Sequence, residues 1–546
     1  MPATLDIDDL TSQAPVVLTL TPQDLADLPD ELTAYHAHFA PLFQRREQRA
    51  WAAVYLRGLL LTDVPRKNVE AMALRLLGAG HEAARTVRAL QQFISEGAWD
   101  DRAILAAHQT LVEQTMGEDD GVLIIDGSDV PKQGTHSVGV ARQWCAASGK
   151  TDNCQAGVYL GYASRRGYTL LERRLYLHAS WFAEDHHDLW RACAIPDDVP
   201  FQTKLELAAD LVETIQQQKR VRARWLACDE GYGQDPALLD RVAATGLWYL
   251  AEVPGLTHVW PGQELATGLP CPPPQLWVPP TPSGRRGRAF TKVRLHPDSP
   301  RPVRLDTLPA QVPNHAWRRY RIFEGSKGPL IADFAALRAV TTRQGMPGPE
   351  VWVLVRRAVG EAGAEGEVKL YLSNAPADMP LVELVRVSGM RWPIESCFEE
   401  AKSELGLDHY ELRSWQGWHH HMTLVLLAHH FLVRQQQRLK ERGGACGAAS
   451  PSTSPCASRG SHRRASSSSG CCGAECGPGP FASTGHAAPS DSRHGSDVGT
   501  RALPTTAQGR SLLFPPQAHL APPRSRSPTM KSCCNTSLWC EIPRLL

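Results

Sequence analysis

Two short apolar runs, each followed at once by an acidic, glycine-containing turn, constrain the fold of this chain more than any other feature. GVLII (121–125) precedes Asp126, and RARWLAC (222–228) precedes Asp229. Runs of this kind are typical of buried strands. A carboxylate at a strand end either forms the turn or binds a metal ion, and for one alone the turn is favoured. Two in one core would lie close together, and their like charges would then require a divalent cation.

The segments around these runs alternate between strand and helix patterns. SVGVARQW (137–144) and residues 156–181 predict antiparallel strands. Residues 200–219 and 235–246 predict amphipathic helices, and LWYLAEV (247–253) predicts a further strand. Three strands, a helix, a strand, a helix and a strand together indicate a mixed α/β core.

Changes of pattern divide the chain into six segments. The second segment, residues 35–118, is helical. It is interpreted either as a cap on the core, which is favoured, or as a DNA-binding domain. The fourth segment, residues 256–380, combines dense prolines with basic strand-like pieces. The predicted segments are a flexible N-terminal arm (1–34), the helical, candidate DNA-binding domain (35–118), the first part of the α/β core (119–255), a β-rich insertion (256–380), a helical completion of the core (381–442) and a low-complexity tail (443–546).

Charge and cysteine content limit the classes of function. The net charge is +1, but residues 1–442 carry 48 Lys and Arg against 53 Asp and Glu, so any contact with nucleic acid must use local basic patches. Six of the 14 cysteines are scattered through those residues without metal-type spacing, which indicates a reducing cytoplasm. The N-terminus has no signal-peptide pattern, and the longest apolar run, near MTLVLLAHHFLV, is too short to span a membrane.

The tail has a different composition from the rest of the chain. Ser, Pro and Gly make up 42 of its 104 residues, and it holds the other eight cysteines. One interpretation is a disordered tail. Because disordered segments usually avoid cysteine, a shifted reading frame is the more specific hypothesis.

A third group of charged residues lies in RWPIESCFEEAK (391–402). Pro393 suits the first turn of a helix, which places Glu395 in that turn and Lys402 two turns later on the same face. Taken alone, this pattern is better explained by a glutamate that complements the helix dipole and by a Glu399–Lys402 pair.

Together with the two strand-end aspartates, the same stretch allows a metal site. Asp126, Asp229 and Glu395 would then bind the metal, and Arg391 and Lys402 beside them would bind phosphate.

From about residue 35 to about residue 440, the sequence resembles a known family, the insertion-sequence transposases of the DDE class. The residues that carry the resemblance are IIDGSDVPKQGTHSVGVARQWCAASGKTDNCQAG, ACDEGYG and RWPIESCFEEAKSELGLDHYELRSWQGWHHHMTL. One branch of the family has a Tyr-x2-Arg-x3-Glu-x6-Lys signature. Arg391, Glu395 and Lys402 match its spacing, whereas Ser388 stands at the tyrosine position.

The resemblance implies an RNase H-like catalytic fold in which Asp126, Asp229 and Glu395 bind two Mg²⁺ ions, with Mn²⁺ as a possible substitute. Asp129 and Glu230 are the nearest rivals to the two aspartates and rank lower, because the family motif aligns with Asp126 and Asp229. The implied or candidate phosphate contacts are Arg391 and Lys402, the weaker candidate Lys132, and the insertion arginines Arg285, Arg286, Arg288, Arg318, Arg319 and Arg321.

The implied function is metal-dependent DNA phosphoryl transfer, in which the enzyme cleaves transposon ends and joins them to target DNA. The implied partners are double-stranded DNA, both terminal inverted repeats and target, and a second copy of the chain in a DNA-bound homodimer. A bacterial, nucleoid-associated cytoplasmic location without membrane contact follows. Two alternatives stay open: an inactive or truncated DNA-binding remnant, and an RNase H-like nuclease without transposition.

Two further groups of residues suggest functional sites, but another interpretation is favoured for each. The histidines at 419–421, 429 and 430 suggest a metal cluster, but no cysteine or carboxylate completes a zinc-like set, so a polar or DNA-facing helix surface is favoured. Trp317 and Trp352 could stack on a base, but a place in the core is favoured for both.

Overall fold

The structure is a computed structural model that describes residues 5–6, 21–264, 267–279, 291–325, 328–359 and 366–447. Most of the predicted N-terminal arm before residue 21, and the tail after residue 447, lie outside the described residues. So do three of the predicted phosphate contacts, Arg285, Arg286 and Arg288.

The N-terminal part of the described chain is helical. Its helices are α1 (Pro22–Ala37), α2 (Arg46–Leu59), α3 (Val69–Leu77), α4 (Ala83–Ser95) and α5 (Asp101–Met116). Three of them begin at a side-chain cap, because Thr21, Asn68 and Asp100 each accept a hydrogen bond from a backbone N–H of the first turn.

The central sheet is built around β2 (Val122–Pro131). On one side β2 pairs antiparallel with β4 (Lys150–Ser164), and β4 pairs antiparallel with both β3 (Ala141–Cys145) and β5 (Gly167–Tyr176). On the other side β2 pairs in parallel with β6 (Trp225–Cys228), and β6 pairs in parallel with β7 (Trp248–Glu252). The last residues of these parallel pairings, Ile125, Cys228 and Ala251, therefore define one edge of the parallel part of the sheet.

Most strands in the region of the predicted insertion extend this sheet, and two short ones, Leu276–Trp277 and Arg294–Leu295, form a separate antiparallel pair. Its strands are β8 (His258–Pro261), β9 (Leu276–Trp277), β10 (Arg294–Leu295), β11 (Val303–Arg304), β12 (Arg318–Gly325), β13 (Gly328–Arg343), β14 (Met346–Ala358) and β15 (Val368–Ser373). The order runs β12-β13-β14-β15-β7, with β15 antiparallel to β7, and β1 (Leu5–Asp6) pairs in parallel with β12. Short 3-10 helices lie at Ala40–Leu42, Ala179–Phe182, Glu184–His186, Leu305–Thr307, Pro309–Gln311 and Asn314–Ala316.

Helices cover both faces of the central strands. Between β5 and β7 lie α6 (His187–Ala192), α7 (Lys204–Gln218), α8 (Glu230–Gly233) and α9 (Pro236–Ala244). After β15 follow α10 (Leu381–Gly389), α11 (Pro393–Ser403) and α12 (Trp415–Gly447).

The alternation of side chains along β2 divides the interior into two cores. Ile124 packs in one core with residues of α10 to α12, whereas Leu123 and Ile125 pack in the other with residues of α7 and α9. Because side chains two apart in a strand share a face, Asp126 points to the face covered by α10 to α12.

These observations confirm the predicted RNase H-like mixed α/β sheet with β-rich and N-terminal helical parts. Two details differ from the prediction. Four strands, rather than three, precede the first long core helix, and Asp126 lies within β2 rather than after it. The reason is that β2 keeps pairing with β4 as far as Pro131. Within the described residues, no helix is both long enough and apolar enough to cross a membrane.

Candidate active site

Asp126 and Asp229 are brought side by side by the parallel pairing of β2 with β6. Ile125 lies opposite Cys228 in that pairing, so the next residue of each segment is an aspartate. Asp229 also caps α8, where its Oδ1 accepts a hydrogen bond from the backbone N–H of Tyr232 at 3.2 Å. The two residues predicted from strand ends therefore do meet at one edge of the sheet.

The environment of this pair disfavours two negative charges. Burial, followed by the neighbouring charge of Asp229, raises the pKa of Asp126 to about 7, even though the N–H of Gly127 donates to its Oδ1 at 2.7 Å. Burial likewise raises the pKa of Asp229. Carboxylates in such a pair favour a shared proton or a bound cation.

Glu395 reaches the same region from α11. Pro393 and Glu395 occupy the first turn of that helix, as the sequence predicted. Nη2 of Arg391 donates to Oε1 of Glu395 at 2.6 Å. Both side chains act on Asp126: the charge of Glu395 raises its pKa and the charge of Arg391 lowers it. The structure therefore places the three predicted carboxylates and Arg391 in one electrostatic neighbourhood.

A fourth carboxylate, Glu252, was missed in the sequence. It ends β7, is 9% exposed, and lies with its Oε2 3.8 Å from Nε of Arg391 and its Oε1 2.9 Å from Nζ of Lys369. The signal that could have found it is LWYLAEV, which, like the segments before the two aspartates, is a buried strand with an acidic residue at its end.

The two lysines predicted to bind phosphate differ in their surroundings. Nζ of Lys402 lies 3.5 Å from the backbone carbonyl oxygen of Asp129, three residues after Asp126 in β2. Nζ of Lys132 instead donates to the carbonyl of Tyr410 at 3.0 Å and lies 3.6 Å from the centre of its ring. Burial lowers the pKa of Lys132 to about 8.

Asp129, one of the two rival carboxylates, already has partners. It is 7% exposed, its Oδ2 accepts from the Ala146 N–H at 2.8 Å, and its Oδ1 lies 3.7 Å from Nζ of Lys204. Its charge is balanced locally, unlike that of Asp126.

The arginines of β12 contact the β-rich part of the sheet. Arg319 forms an ion pair with Asp333 at 2.8 Å, and Arg318 donates to the carbonyl of His315 at 2.6 Å. Trp317 is 5% exposed with the guanidinium of Arg357 4.2 Å from its ring centre, in agreement with the favoured place in the core. Within the described residues, Arg318 and Arg319 thus contact neighbours in the β-rich part rather than the carboxylates at the β2–β6–β7 edge.

Asp126 and Asp229 are the residues that fit a divalent cation, because they provide hard oxygen donors and excess negative charge at one place. A Cβ on Gly231 would lie 3.2 Å from Oδ1 of Asp229, so the glycine keeps that approach open. Glu395 is held by Arg391 through its Oε1. Among the described residues, no three His, Cys, Asp or Glu side chains are grouped closely enough to hold a metal ion.

The histidines of α12 correct one expectation. His420, His421, His429 and His430 are at most 1% exposed, so they do not form a polar or DNA-facing surface. They face the N-terminal helices and β5 instead of solvent, because α12 is covered on several sides. His421, for example, is bonded through Nδ1 to the hydroxyl of Tyr55 at 2.8 Å and through Nε2 to the carbonyl of Leu407 at 3.3 Å.

Comparison with known proteins adds a family assignment. No curated protein matches the chain. Among solved structures, the chain is similar to one described as a cryo-EM structure of a piggyBac transposase synaptic complex with hairpin DNA, at 9% identity and a TM-score of 0.35, over 79% of this chain and 78% of that one. The family described as DDE superfamily endonuclease matches residues 38–329, a span that includes Asp126 and Asp229 and ends before Glu395. Since this match covers more than half of the sequence, the chain belongs to the DDE superfamily endonucleases.

Proposed function

We propose that this chain is a DNA transposase that cleaves the ends of its own mobile element and joins them to target DNA. The observation that carries the proposal is the placement of Asp126 and Asp229 side by side where the parallel pairing of β2 with β6 ends, in a member of an endonuclease family. Glu395 is proposed as the third carboxylate, because it lies in the same electrostatic neighbourhood.

The chemistry proposed for these residues is metal-assisted displacement at phosphorus. Two Mg²⁺ ions, or Mn²⁺ in their place, would supply activation of the attacking water or 3′-hydroxyl and stabilisation of the leaving oxygen. The task of Asp126, Asp229 and Glu395 is then to present oxygen ligands at fixed positions. Such reactions need little covalent help from the protein, so the placement of ligands and phosphate makes up most of the catalyst.

Basic side chains would hold the DNA backbone. Arg391, which donates to Glu395, and Lys402, which contacts the backbone of Asp129 on β2, are proposed to position the scissile phosphate. Arg318 and Arg319 on β12 are proposed to contact transposon-end DNA further away, and Lys132 is retained as the weakest candidate. Because two DNA ends must be brought together for joining, the proposed working form is a homodimer on DNA.

A second candidate is a nuclease that cleaves DNA without joining it. What supports it is the description of the matching family, which names an endonuclease. The two candidates differ in one product, the covalent joint between a cleaved end and a second DNA molecule.

The test uses the full chain and a duplex that contains the DNA bordering its gene, labelled at both ends. We expect nicking at an inverted repeat in the presence of Mg²⁺ or Mn²⁺, and transfer of the cleaved end to an unlabelled plasmid. Cleavage without transfer would support the nuclease instead.

The site assignment is tested with a matched pair of variants on α11. Glu395→Gln should lower the rate of nicking by about a thousand-fold, because a lost metal ligand removes several kcal/mol of transition-state stabilisation. Glu399→Gln removes the same charge from the exposed side of the same helix and should retain the wild-type rate. Equal rates for Glu395→Gln and wild-type protein would refute the role of Glu395.

A further inference from the structure

Three carboxylates, rather than two, lie in register across the parallel strands. The pairing of Ile125 with Cys228 aligns Asp126 with Asp229, and the pairing of Cys228 with Ala251 brings Glu252 to the next place in the same row. Its side chain therefore points to the face of the sheet that carries the two aspartates.

Glu252 differs from the two aspartates because cations neutralise it. Its Oε1 lies 2.9 Å from Nζ of Lys369, and its Oε2 lies 3.8 Å from Nε of Arg391. The side chain is only 12% exposed, so these charge interactions are weakly screened. Glu252 is therefore suited to holding Lys369 and Arg391 in place.

Arg391 lies between two glutamates. Its Nη2 is 2.6 Å from Glu395 and its Nε is 3.8 Å from Glu252, and its side chain is 13% exposed. A buried guanidinium needs an anionic partner, because an unpaired buried charge is costly. If Glu395 turns from Arg391 to a divalent cation, Glu252 is the carboxylate already in place to keep Arg391 paired.

We propose that Glu252 is a positioning residue that retains Arg391 while Glu395 changes partner, and thereby sets how readily the site accepts a divalent cation. The inference rests on the proposed function of Asp126, Asp229 and Glu395. Without Glu252, Arg391 would compete with the cation for Glu395, and cation affinity would fall.

The test measures binding of Mn²⁺ to the full chain, without DNA, from the electron paramagnetic resonance signal of the free ion. Glu252→Gln should raise the Kd for Mn²⁺ about tenfold. The matched control is Glu230→Gln, which removes the same charge directly beside Asp229 and should leave the Kd within about twofold of the wild-type value. An unchanged Kd in Glu252→Gln, or an equal rise in the control, would overturn the proposal.

The same measurement in an Arg391→Gln background distinguishes positioning from a purely structural or direct effect. With the competing guanidinium gone, adding Glu252→Gln should change the Kd by less than about twofold. A tenfold change that persists there would show that Glu252 acts on the cation without Arg391, contrary to the proposal. Should Glu252→Gln fail to fold, Glu252→Asp keeps the charge on a shorter side chain and should raise the Kd about threefold; an unchanged Kd would count against the inference.

A separate variant distinguishes a failure of this inference from a failure of the proposed function. Asp126→Asn combined with Asp229→Asn should abolish tight Mn²⁺ binding. If it does and Glu252→Gln has no effect, the inference about Glu252 alone fails. If the double variant binds Mn²⁺ normally, the proposed metal site fails, and the inference fails with it.

Discussion

The carboxylate edge (Asp126, Asp229, Glu252 and Glu395) and the histidine cluster of α12 (His419, His420, His421, His429 and His430) both gather ionisable side chains, and residues of each group suggested a metal site in the sequence. The two groups have different electrostatic environments in the structure. At the edge, burial raises the pKa of Asp126 and Asp229, and like charges face each other. In the cluster, burial lowers the pKa of histidines such as His420, to about 4, and keeps them neutral.

Hydrogen bonding explains the difference. His421 and His430 each have partners for both ring nitrogens; those of His430 are the hydroxyls of Tyr35 at 3.2 Å and Thr115 at 3.1 Å. A neutral, satisfied ring stabilises a core, whereas a buried carboxylate pair without a cation destabilises one. The comparison teaches that the facing like charges of Asp126 and Asp229, rather than burial, mark the candidate site.

The sharpest test of this contrast is the aspartate pair, for which activity and stability should respond in opposite directions. Asp126→Asn should lower DNA nicking by about a thousand-fold. It should also raise the free energy of unfolding at pH 8, without metal, by about 1–3 kcal/mol, because a carboxyl whose folded pKa is raised destabilises the fold when ionised. Nicking assays and urea unfolding measure the two effects. A loss of both activity and stability would show that Asp126 is a structural residue.

The reverse behaviour is expected in the histidine cluster. His421→Ala should lower the free energy of unfolding by about 2–4 kcal/mol, because it leaves a cavity and the unpaired Tyr55 hydroxyl and Leu407 carbonyl. Folded protein should keep wild-type affinity for Mn²⁺. Urea unfolding and Mn²⁺ titration check these two outcomes, and a loss of Mn²⁺ affinity in well-folded protein would contradict the structural role.

The buried histidines should also make the protein sensitive to acid. Burial lowers the pKa of His108, which packs against His430, to about 4. The stability it contributes is present above the unfolded pKa of about 6.5 and is lost as the pH falls towards the folded value, about 2 kcal/mol by pH 5. In His108→Gln, the loss of unfolding free energy between pH 7 and pH 5 should be smaller than in the wild type by that amount. Equal losses would show that His108 titrates normally.

The smallest effects should separate the two lysines. Lys402 contacts the Asp129 carbonyl on β2, and Lys132 contacts Tyr410, whose ring lies against His421 of the cluster. Lys402→Gln should weaken DNA binding a few-fold and reduce the slope of log affinity against log salt by about 1. Lys132→Gln, at the weakest candidate for a DNA contact, should change that slope by much less than 1 and lower stability by about 1 kcal/mol, through the lost hydrogen bond and ring contact with Tyr410. Binding measured by fluorescence anisotropy at several salt concentrations decides between them.

Residues near one another in sequence could be placed before the structure was known. Pro393 and Glu395 begin α11 as predicted, because a proline without an N–H and a dipole-matched glutamate act within one helical turn. The strand runs before Asp126 and Asp229 were also recognisable from their apolar composition. The end of β2 was not, since its continuation to Pro131 depends on pairing with β4 some thirty residues later.

Environment could not be predicted in the same way. From the sequence, the histidines of α12 were expected to form a polar helix surface. Their burial follows from the packing of α12 against α2, α4, α5 and β5. Glu252 was passed over because nothing in LWYLAEV distinguishes an acidic strand end that meets Arg391 and Lys369 from one that faces solvent.

The sequence by itself determined the alternation of strands and helices, the two strand-end aspartates and the spacing of Arg391, Glu395 and Lys402, because each depends on local periodicity or on residue type. Only the tertiary structure decided which charges are balanced. Register across β2, β6 and β7 aligns Asp126, Asp229 and Glu252, and the packing of α11 on that face brings Arg391 between two glutamates. Electrostatic energy depends on distance and burial, and for residues so far apart in the chain the fold alone sets both.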